Sequence, residues 1–372
     1  MKLAFISNHP APYRDPFLNR LVKSQHFQAD VYSLFPRDSG HSFWNLTKPE
    51  YDQVVIVPKP CSKVKTFLFL IRKFVFGKYE CTIWPGFLLW YLTACMLMLA
   101  LLGKKYGFTA DTVSQLPISK FAFAIKRFII KRAALIFVPG AASREYFVRT
   151  FGVDSKKVCL GGYALDNDLL AERFLTLRKN RAALRTQYGL AEKDRVFLMV
   201  ANMIPTRHYP ITTAGFLKAA ANYPDARFVI VGRGPDLERM LVLGKENPAL
   251  KVYDGVSFDE MLNLYAIADV YVHGGTEPAS TALVIGAIAG LPLLSSEAVG
   301  CSKDCLLDGE TGVKVTNYLD IECWANGFNR LLSSVDHWLS FGASARKKAA
   351  LLDVKTTLAQ FESIVCGLEV QS

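Results

Sequence analysis

The chain has 372 residues, 51% of them hydrophobic and 21% charged, with 44 Lys+Arg against 33 Asp+Glu and a formal net charge of +11. That is about twice the length of a typical single domain, with enough apolar material for two cores. No low-complexity or single-sign tract is present, which excludes disordered and fibrous architectures.

In chain order, residues 3–7 (LAFIS) predict a first strand, HPAPYR at 9–14 a turn, and 15–24 a helix. Further apolar strands are expected at 29–34, 53–58, 81–84 and 134–139, with helical stretches between them. The second half repeats the rhythm: strands at 195–201, 227–232, 250–256, 269–275 and 291–296, and helices near 211–222, 235–244, 258–268 and 279–289. Strand and helix in alternation imply parallel sheets, so the expected fold class is α/β with two doubly wound, Rossmann-like domains. The expected division is an N-terminal domain over 1–165, a polar helical connector over 166–194, a C-terminal domain over 195–337, and C-terminal helices over 338–372 that cross back to the first domain.

The eight cysteines (Cys61, Cys81, Cys95, Cys159, Cys301, Cys305, Cys323 and Cys366) form no CxxC pair, and the N-terminus lacks a long apolar signal core. A reducing cytoplasm is therefore expected. Cys301 and Cys305 are close in sequence but have no nearby histidine cluster to complete a zinc site.

Residues 83–102 carry no charge and are long enough to span a bilayer, but Pro85 and Gly86 leave only about 16 residues for a helix, short of the ~20 needed. A helix buried on all sides within an α/β domain is the favoured reading. Residues 63–78 and 119–132 interleave Lys and Arg with Phe, Leu and Ile, as interfacial helices do, although amphipathic helices packed on a sheet look the same. The charge distribution weighs in: residues 1–160 hold 23 Lys+Arg against 9 Asp+Glu, the remainder 21 against 24. The excess in the first half points to an anionic partner, either nucleic acid or a negatively charged membrane surface, with the membrane favoured.

Chemistry concentrates in 269–300, DVYVHGGTEPASTALVIGAIAGLPLLSSEAVG. A strand ends in His273-Gly274-Gly275, Glu277 precedes Pro278, and a helix is expected to start near Ala279 and Ser280. Unpaired amides at Ala279, Ser280 and Thr281, with the helix dipole, would make a site for a diphosphate.

This segment, with HPAPYR after the first strand, FGVDSKKVCLGGYALDNDLL at 151–170 and LLDGETGVKV at 306–315, resembles the retaining, nucleotide-sugar-dependent glycosyltransferases of family 4. The resemblance implies the GT-B fold, two facing Rossmann-like domains with a cleft between them. It gives Glu277 the place of the first glutamate of a pair, accepting hydrogen bonds from donor sugar hydroxyls. The second glutamate, expected eight positions on to bind ribose, is here Ile285. In ANMIPTRHYP, Asn202 stands where an Arg is expected, and Arg207 where a Lys contacts the donor phosphates. Gly232 and Gly234 sit at a strand-to-helix turn where backbone can approach a base or ribose, although GRG lacks the full dinucleotide fingerprint and a packing turn is the default explanation. Val256, in the DGVS turn, resembles an apolar neighbour of the nucleobase. Such enzymes often carry a cleft-facing His near ADTVSQLP (110–117), where this chain has none. Asp111 or Ser114 is the candidate there to face the acceptor, and His9 the candidate to touch acceptor or donor phosphate.

Asp166 and Asp168 form a DxD pair, read as a helix start rather than a metal site, so no metal and no cofactor are expected. The expected function is retaining transfer of a sugar from a nucleotide-sugar, UDP-linked by preference, to a lipid-linked saccharide or glycolipid in surface polysaccharide assembly. The protein is expected to be cytoplasmic and peripheral on the inner membrane face, with no nucleic-acid partner. Ile285 and Asn202 leave a rival: a catalytically weakened protein of the same fold acting as a partner or regulatory subunit.

Overall fold

Short runs of β-branched and aromatic residues alternate with helices and form parallel strands in both halves of the chain. The computed structural model describes residues 1–10, 14–36, 49–57, 62–112, 119–161 and 164–367. It separates into two units, one of Met1–Leu165 with the residues from Leu352 onward, the other Asp166–Leu351.

The first unit is built on β1 (Lys2–Ser7), β2 (Gln28–Ser33), β3 (Gln53–Val55), β4 (Cys81–Trp84), β5 (Lys105–Thr109), β6 (Leu135–Val138) and β7 (Val158–Leu160), in the order β3-β2-β1-β4-β5-β6-β7. Its helices are α1 (Asp15–Val22), α2 (Lys63–Leu70), α3 (Trp90–Leu101), α4 (Lys120–Arg132) and α5 (Ala141–Phe151), and α2 runs into a π-helical turn over Ile71–Val75. The sequence reading misses β5 and β7. KYGFT is interrupted by Gly107, which is required because a Cβ there would stand 2.7 Å from the Leu135 carbonyl oxygen and 2.9 Å from Ile83 Cδ1.

The uncharged stretch 83–102 divides between β4, a turn at Pro85 and Gly86, and the twelve-residue α3. No helix among the described residues is long and apolar enough to cross a membrane. The expectation of a helix buried on all sides is corrected: Tyr91, Leu92, Cys95, Met96 and Leu99 face the core, while Trp90 is 54% and Leu101 68% exposed. With only one face packed, α3 leaves an apolar outer face between its neighbours α2 and α4.

The second unit begins with α6 (Asn167–Arg178) and α7 (Arg181–Gln187), followed by β8 (Arg195–Val200), α8 (Tyr209–Ala220), β9 (Ala226–Gly232), α9 (Leu237–Glu246), β10 (Leu250–Asp254), α10 (Phe258–Ile267), β11 (Val270–His273) and α11 (Thr281–Ile288). It continues through β12 (Leu293–Ser296), α12 (Ser302–Cys305), β13 (Gly312–Val315), α13 (Ile321–Leu332) and α14 (Trp338–Ala349). The strand order is β10-β9-β8-β11-β12-β13.

Two boundaries differ from expectation. The stretch 166–194 is part of the second unit, where α6 and α7 pack on α10. Arg185 of α7 is buried and reaches the Ile267 carbonyl (2.9 Å) and Asp269 (2.8 Å), so its charge is paired and its donors are used. The return to the first unit starts later than Trp338. Helix α14 stays in the second unit, with Gly342 against the Gly290 carbonyl and Arg346 Nε donating to the Ile288 carbonyl at 3.0 Å. Only α15 (Val354–Cys366) joins the first unit, where Phe361 packs edge-on against Phe17 and Phe27 at 5.5 and 5.8 Å between centroids.

Candidate functional site

In the second unit the chain winds outward from β8 through β9 to β10, then returns to place β11 on the other side of β8. The register Val270↔Phe197 and Tyr271↔Leu198 sets the carboxyl ends of β8 and β11 side by side. In doubly wound sheets this switch point is where ligands bind. The loops that leave these two ends carry Arg207 and Glu277.

Two glycines let the loops close on each other. A Cβ on Gly274 would stand 2.5 Å from Thr212 Oγ1 and 2.8 Å from the Arg207 carbonyl oxygen; one on Gly275 would stand 2.0 Å from Glu277 Oε2. The Thr276 N–H donates to the Thr206 carbonyl (3.2 Å), tying loop to loop. Arg207 Nη1 and Glu277 Oε2 are thereby held 2.9 Å apart, with side chains only 18% and 10% exposed. The other carboxylate oxygen, Oε1, lies 2.7 Å from Nε2 of the fully buried His273. Burial pushes the Glu277 carboxyl up, but His273 and Arg207 outweigh it and hold the group below the usual carboxylate range.

The ion pair is incompletely satisfied. Arg207 Nε is buried without a hydrogen-bond partner, and Glu277 Oε2 faces the guanidinium without an aligned hydrogen bond. A buried polar atom left so costs about 1–3 kcal/mol, which a ligand bonding to it recovers. His208, next to Arg207, is the one non-glycine residue with positive φ among the described residues (52°). Its ring packs on Tyr318 at 5.3 Å, and burial with the adjacent Arg207 pushes its imidazole down, partly offset by Glu277.

At the start of α11 the structure modifies the expectation. The helix begins at Thr281, with Ser280 as its cap accepting from the Leu283 N–H (3.3 Å). The Ser280 N–H donates to Cys301 Sγ (3.2 Å), so it is not free for a phosphate, whereas Ala279 and Thr281 remain half-buried. Ile285 is fully buried in the core, so the position where the second glutamate was expected does not face solvent at all.

The glycine pair after β9 also has another use. A Cβ on Gly232 would stand 2.0 Å from the Ala201 carbonyl oxygen and one on Gly234 2.4 Å from that of Met203. Backbone of the loop after β8 packs directly against both glycines, which shape the loop that carries Asn202, which is exposed, and Arg207. Val256 is half-buried beside Gly255, which packs on Arg233; Arg233 Nε lies 2.8 Å from Asp254 Oδ1.

The remaining candidates lie elsewhere. His9 follows β1, at the switch point of the first sheet, and Asp111 follows β5; Ser114 lies outside the described residues. Asp166 caps α6, accepting from the Leu169 N–H at 3.1 Å, and Asp168 lies in its first turn. Among the described residues no group of three or more His, Cys, Asp or Glu side chains is placed to hold a metal ion. The sequence reading assigned no role to His273 or Cys301, since the first reaches Glu277 across a strand end and a loop rather than along a helix, and the second lies 21 residues from Ser280.

Residues 180–348 match the family model "Glycosyl transferases group 1". Alpha-monoglucosyldiacylglycerol synthase of Acholeplasma laidlawii is 26% identical over 116 residues, 30% of this chain and 29% of that protein. GDP-mannose-dependent alpha-(1-6)-phosphatidylinositol monomannoside mannosyltransferase of Mycolicibacterium smegmatis is 23% identical over 244 residues, 63% of this chain and 61% of that one. The matched stretches thus span less than two thirds of either relative. The crystal structure of Anabaena Alr3699/HepE with UDP and glucose superposes over 99% of this chain and 100% of its own, with a TM-score of 0.73 and 17% identity.

Proposed function

We propose that this chain, whose residues 180–348 match the glycosyl transferases group 1 model and which has the GT-B fold, is a glycosyltransferase that transfers a sugar from a nucleotide-sugar with retention at the anomeric carbon. The observation that carries this is the incompletely satisfied pair of Arg207 and Glu277 at the β8/β11 switch point. Arg207 offers Nε and its remaining guanidinium hydrogens to the diphosphate, and Glu277 Oε2 accepts from sugar hydroxyls. The charge that develops on the departing diphosphate is met by Arg207 and the Thr281 amide, so no metal is needed. UDP is the expected nucleotide, as in the HepE complex, with the base near Val256. These unused polar atoms favour a working donor site over a regulatory protein that has lost it.

The acceptor is a glycolipid or lipid-linked saccharide. Both curated relatives are named for glycolipid products or acceptors, and the first unit presents a surface suited to a membrane. Val64, Leu68, Leu88, Trp90 and Phe121 are exposed on and before neighbouring helices α2, α3 and α4, beside the exposed Lys63, Lys65, Lys120 and Arg127. Apolar side chains entering the acyl boundary with cations at the headgroups fit an anionic leaflet, which supports peripheral attachment at the cytoplasmic face. His9 and Asp111 are the first-unit groups offered to the acceptor.

The test is calorimetric titration of the full chain with UDP, UDP-glucose, UDP-N-acetylglucosamine and GDP-mannose. Saturable binding of at least one nucleotide-sugar, lost in Arg207→Ala, is the expected result. No saturable binding to any of them by a folded protein would favour the regulatory role.

A further inference from the structure

His273 ends β11 with its ring fully buried, and a buried imidazole needs a partner for each nitrogen. Nε2 lies 2.7 Å from Glu277 Oε1, in the charge-assisted range, and Nδ1 lies 3.3 Å from the Tyr271 hydroxyl. The ring stacks on Tyr271 at 6.2 Å and 19°, and the Tyr271 hydroxyl also reaches the Val200 carbonyl (3.1 Å) at the end of β8, its single hydrogen serving either that carbonyl or Nδ1. His273 is therefore anchored to two strands of the sheet. Glu277, by contrast, stands on the loop between β11 and α11, where no regular element fixes its side chain.

The two carboxylate oxygens are used differently. Oε1 is taken by His273, while Oε2 is buried, faces Arg207 and lacks an aligned hydrogen bond. Gly275 completes the arrangement: a Cβ there would stand 2.8 Å from His273 Nε2 and 2.0 Å from Oε2.

We propose that His273 is a positioning residue of the donor site. By donating Nε2–H to Oε1 it selects the orientation of Glu277 in which Oε2 meets the hydroxyls of the donor sugar. The inference rests on the functional reading above and adds a specific consequence: His273 matters for the sugar and not for the nucleotide.

The experiment titrates the full chain, wild type and variants, with UDP-glucose, UDP-N-acetylglucosamine and GDP-mannose, and with free UDP and GDP as references. His273→Leu is expected to weaken the nucleotide-sugar by about tenfold or more while leaving the free nucleotide within about twofold. His273→Gln, whose side-chain nitrogen takes the place of Nε2, is expected to recover most of that loss. If the leucine variant does not fold, His273→Asn replaces it, since its shorter amide falls where Nδ1 stood. Equal loss of nucleotide and nucleotide-sugar, or a glutamine variant no better than the leucine or asparagine one, overturns the proposal. A wild type that binds no nucleotide-sugar overturns the functional reading and this inference with it; unchanged sugar binding in His273→Leu overturns the inference alone.

Discussion

Arg207 and Glu277 stand 70 positions apart in the sequence, yet Nη1 of one lies 2.9 Å from Oε2 of the other across the ends of two adjacent parallel strands. With the guanidinium on one oxygen and His273 on the other, Glu277 stays ionised despite its burial. Its carboxyl is held below the ordinary value, so its stabilising contribution is complete above the unfolded-state value of about 4.3 and is lost as pH falls through the folded one. The difference in unfolding free energy between wild type and Glu277→Gln is therefore constant above about pH 5 and shrinks on further acidification. Denaturant melts from pH 7 to 3 check this, and a difference that grows with acid contradicts it.

Gly275→Ala places a methyl group where Glu277 Oε2 now lies and 2.8 Å from His273 Nε2, so the carboxylate must swing away and the ring give slightly, while the nearest atoms are all side-chain rather than backbone. Nucleotide-sugar affinity is expected to fall by about tenfold or more, as for loss of a charged hydrogen bond, with unfolding within about 1 kcal/mol of wild type. Titration together with thermal melts tests both halves.

His208 holds a left-handed conformation, φ 52° and ψ 34°, that costs a residue with a Cβ more than it costs glycine. His208→Gly and His208→Ala both lose the ring contact with Tyr318, so their comparison isolates the backbone. The glycine variant is expected to be the more stable by about 1 kcal/mol, the reverse of the usual order for helix interiors. Equal stability in chemical denaturation would show that the backbone there is not strained.

At the first unit, Phe121 is 77% and Leu88 63% exposed. Burying such a side chain in an acyl boundary contributes about 1.5–3 kcal/mol, so Phe121→Ser or Leu88→Ser should weaken binding to anionic vesicles by roughly tenfold or more. Lys63→Glu should weaken it at low salt and matter less at high salt. Co-sedimentation with phosphatidylglycerol vesicles measures each variant; full retention by neutral vesicles contradicts the need for an anionic surface, and unchanged binding by the serine variants speaks against apolar insertion. Tight binding to duplex DNA, steeply weakened by salt, would assign the basic surface to nucleic acid.

The sheets were legible where strands are continuous apolar runs, as in RVFLMV of β8 and LIFV of β6. They were not where a strand is short or carries glycine, as in β7 and β5. The end of the second unit was misplaced because Trp338, Phe341 and Ala345 of α14 form an apolar stripe that would suit either core, and nothing local reveals that Gly342 fits against Gly290. At the site, Glu277 and Arg207 were found through resemblance, and their mutual contact depends on strand order. His273 was overlooked because its i,i+4 relation to Glu277 runs over a strand end and two glycines rather than along a helix. The glycines after β9 show the converse, a motif that suggests ligand contact and is also accounted for by close packing on Ala201 and Met203.

The most direct measurement is a crystal structure of the full chain soaked with UDP. The account predicts the diphosphate between the 201–208 loop and the first turn of α11, with Arg207 turned from Glu277 onto a phosphate oxygen and the Thr281 amide donating to another. A nucleotide bound away from these loops, with the Arg207–Glu277 contact undisturbed, would contradict it.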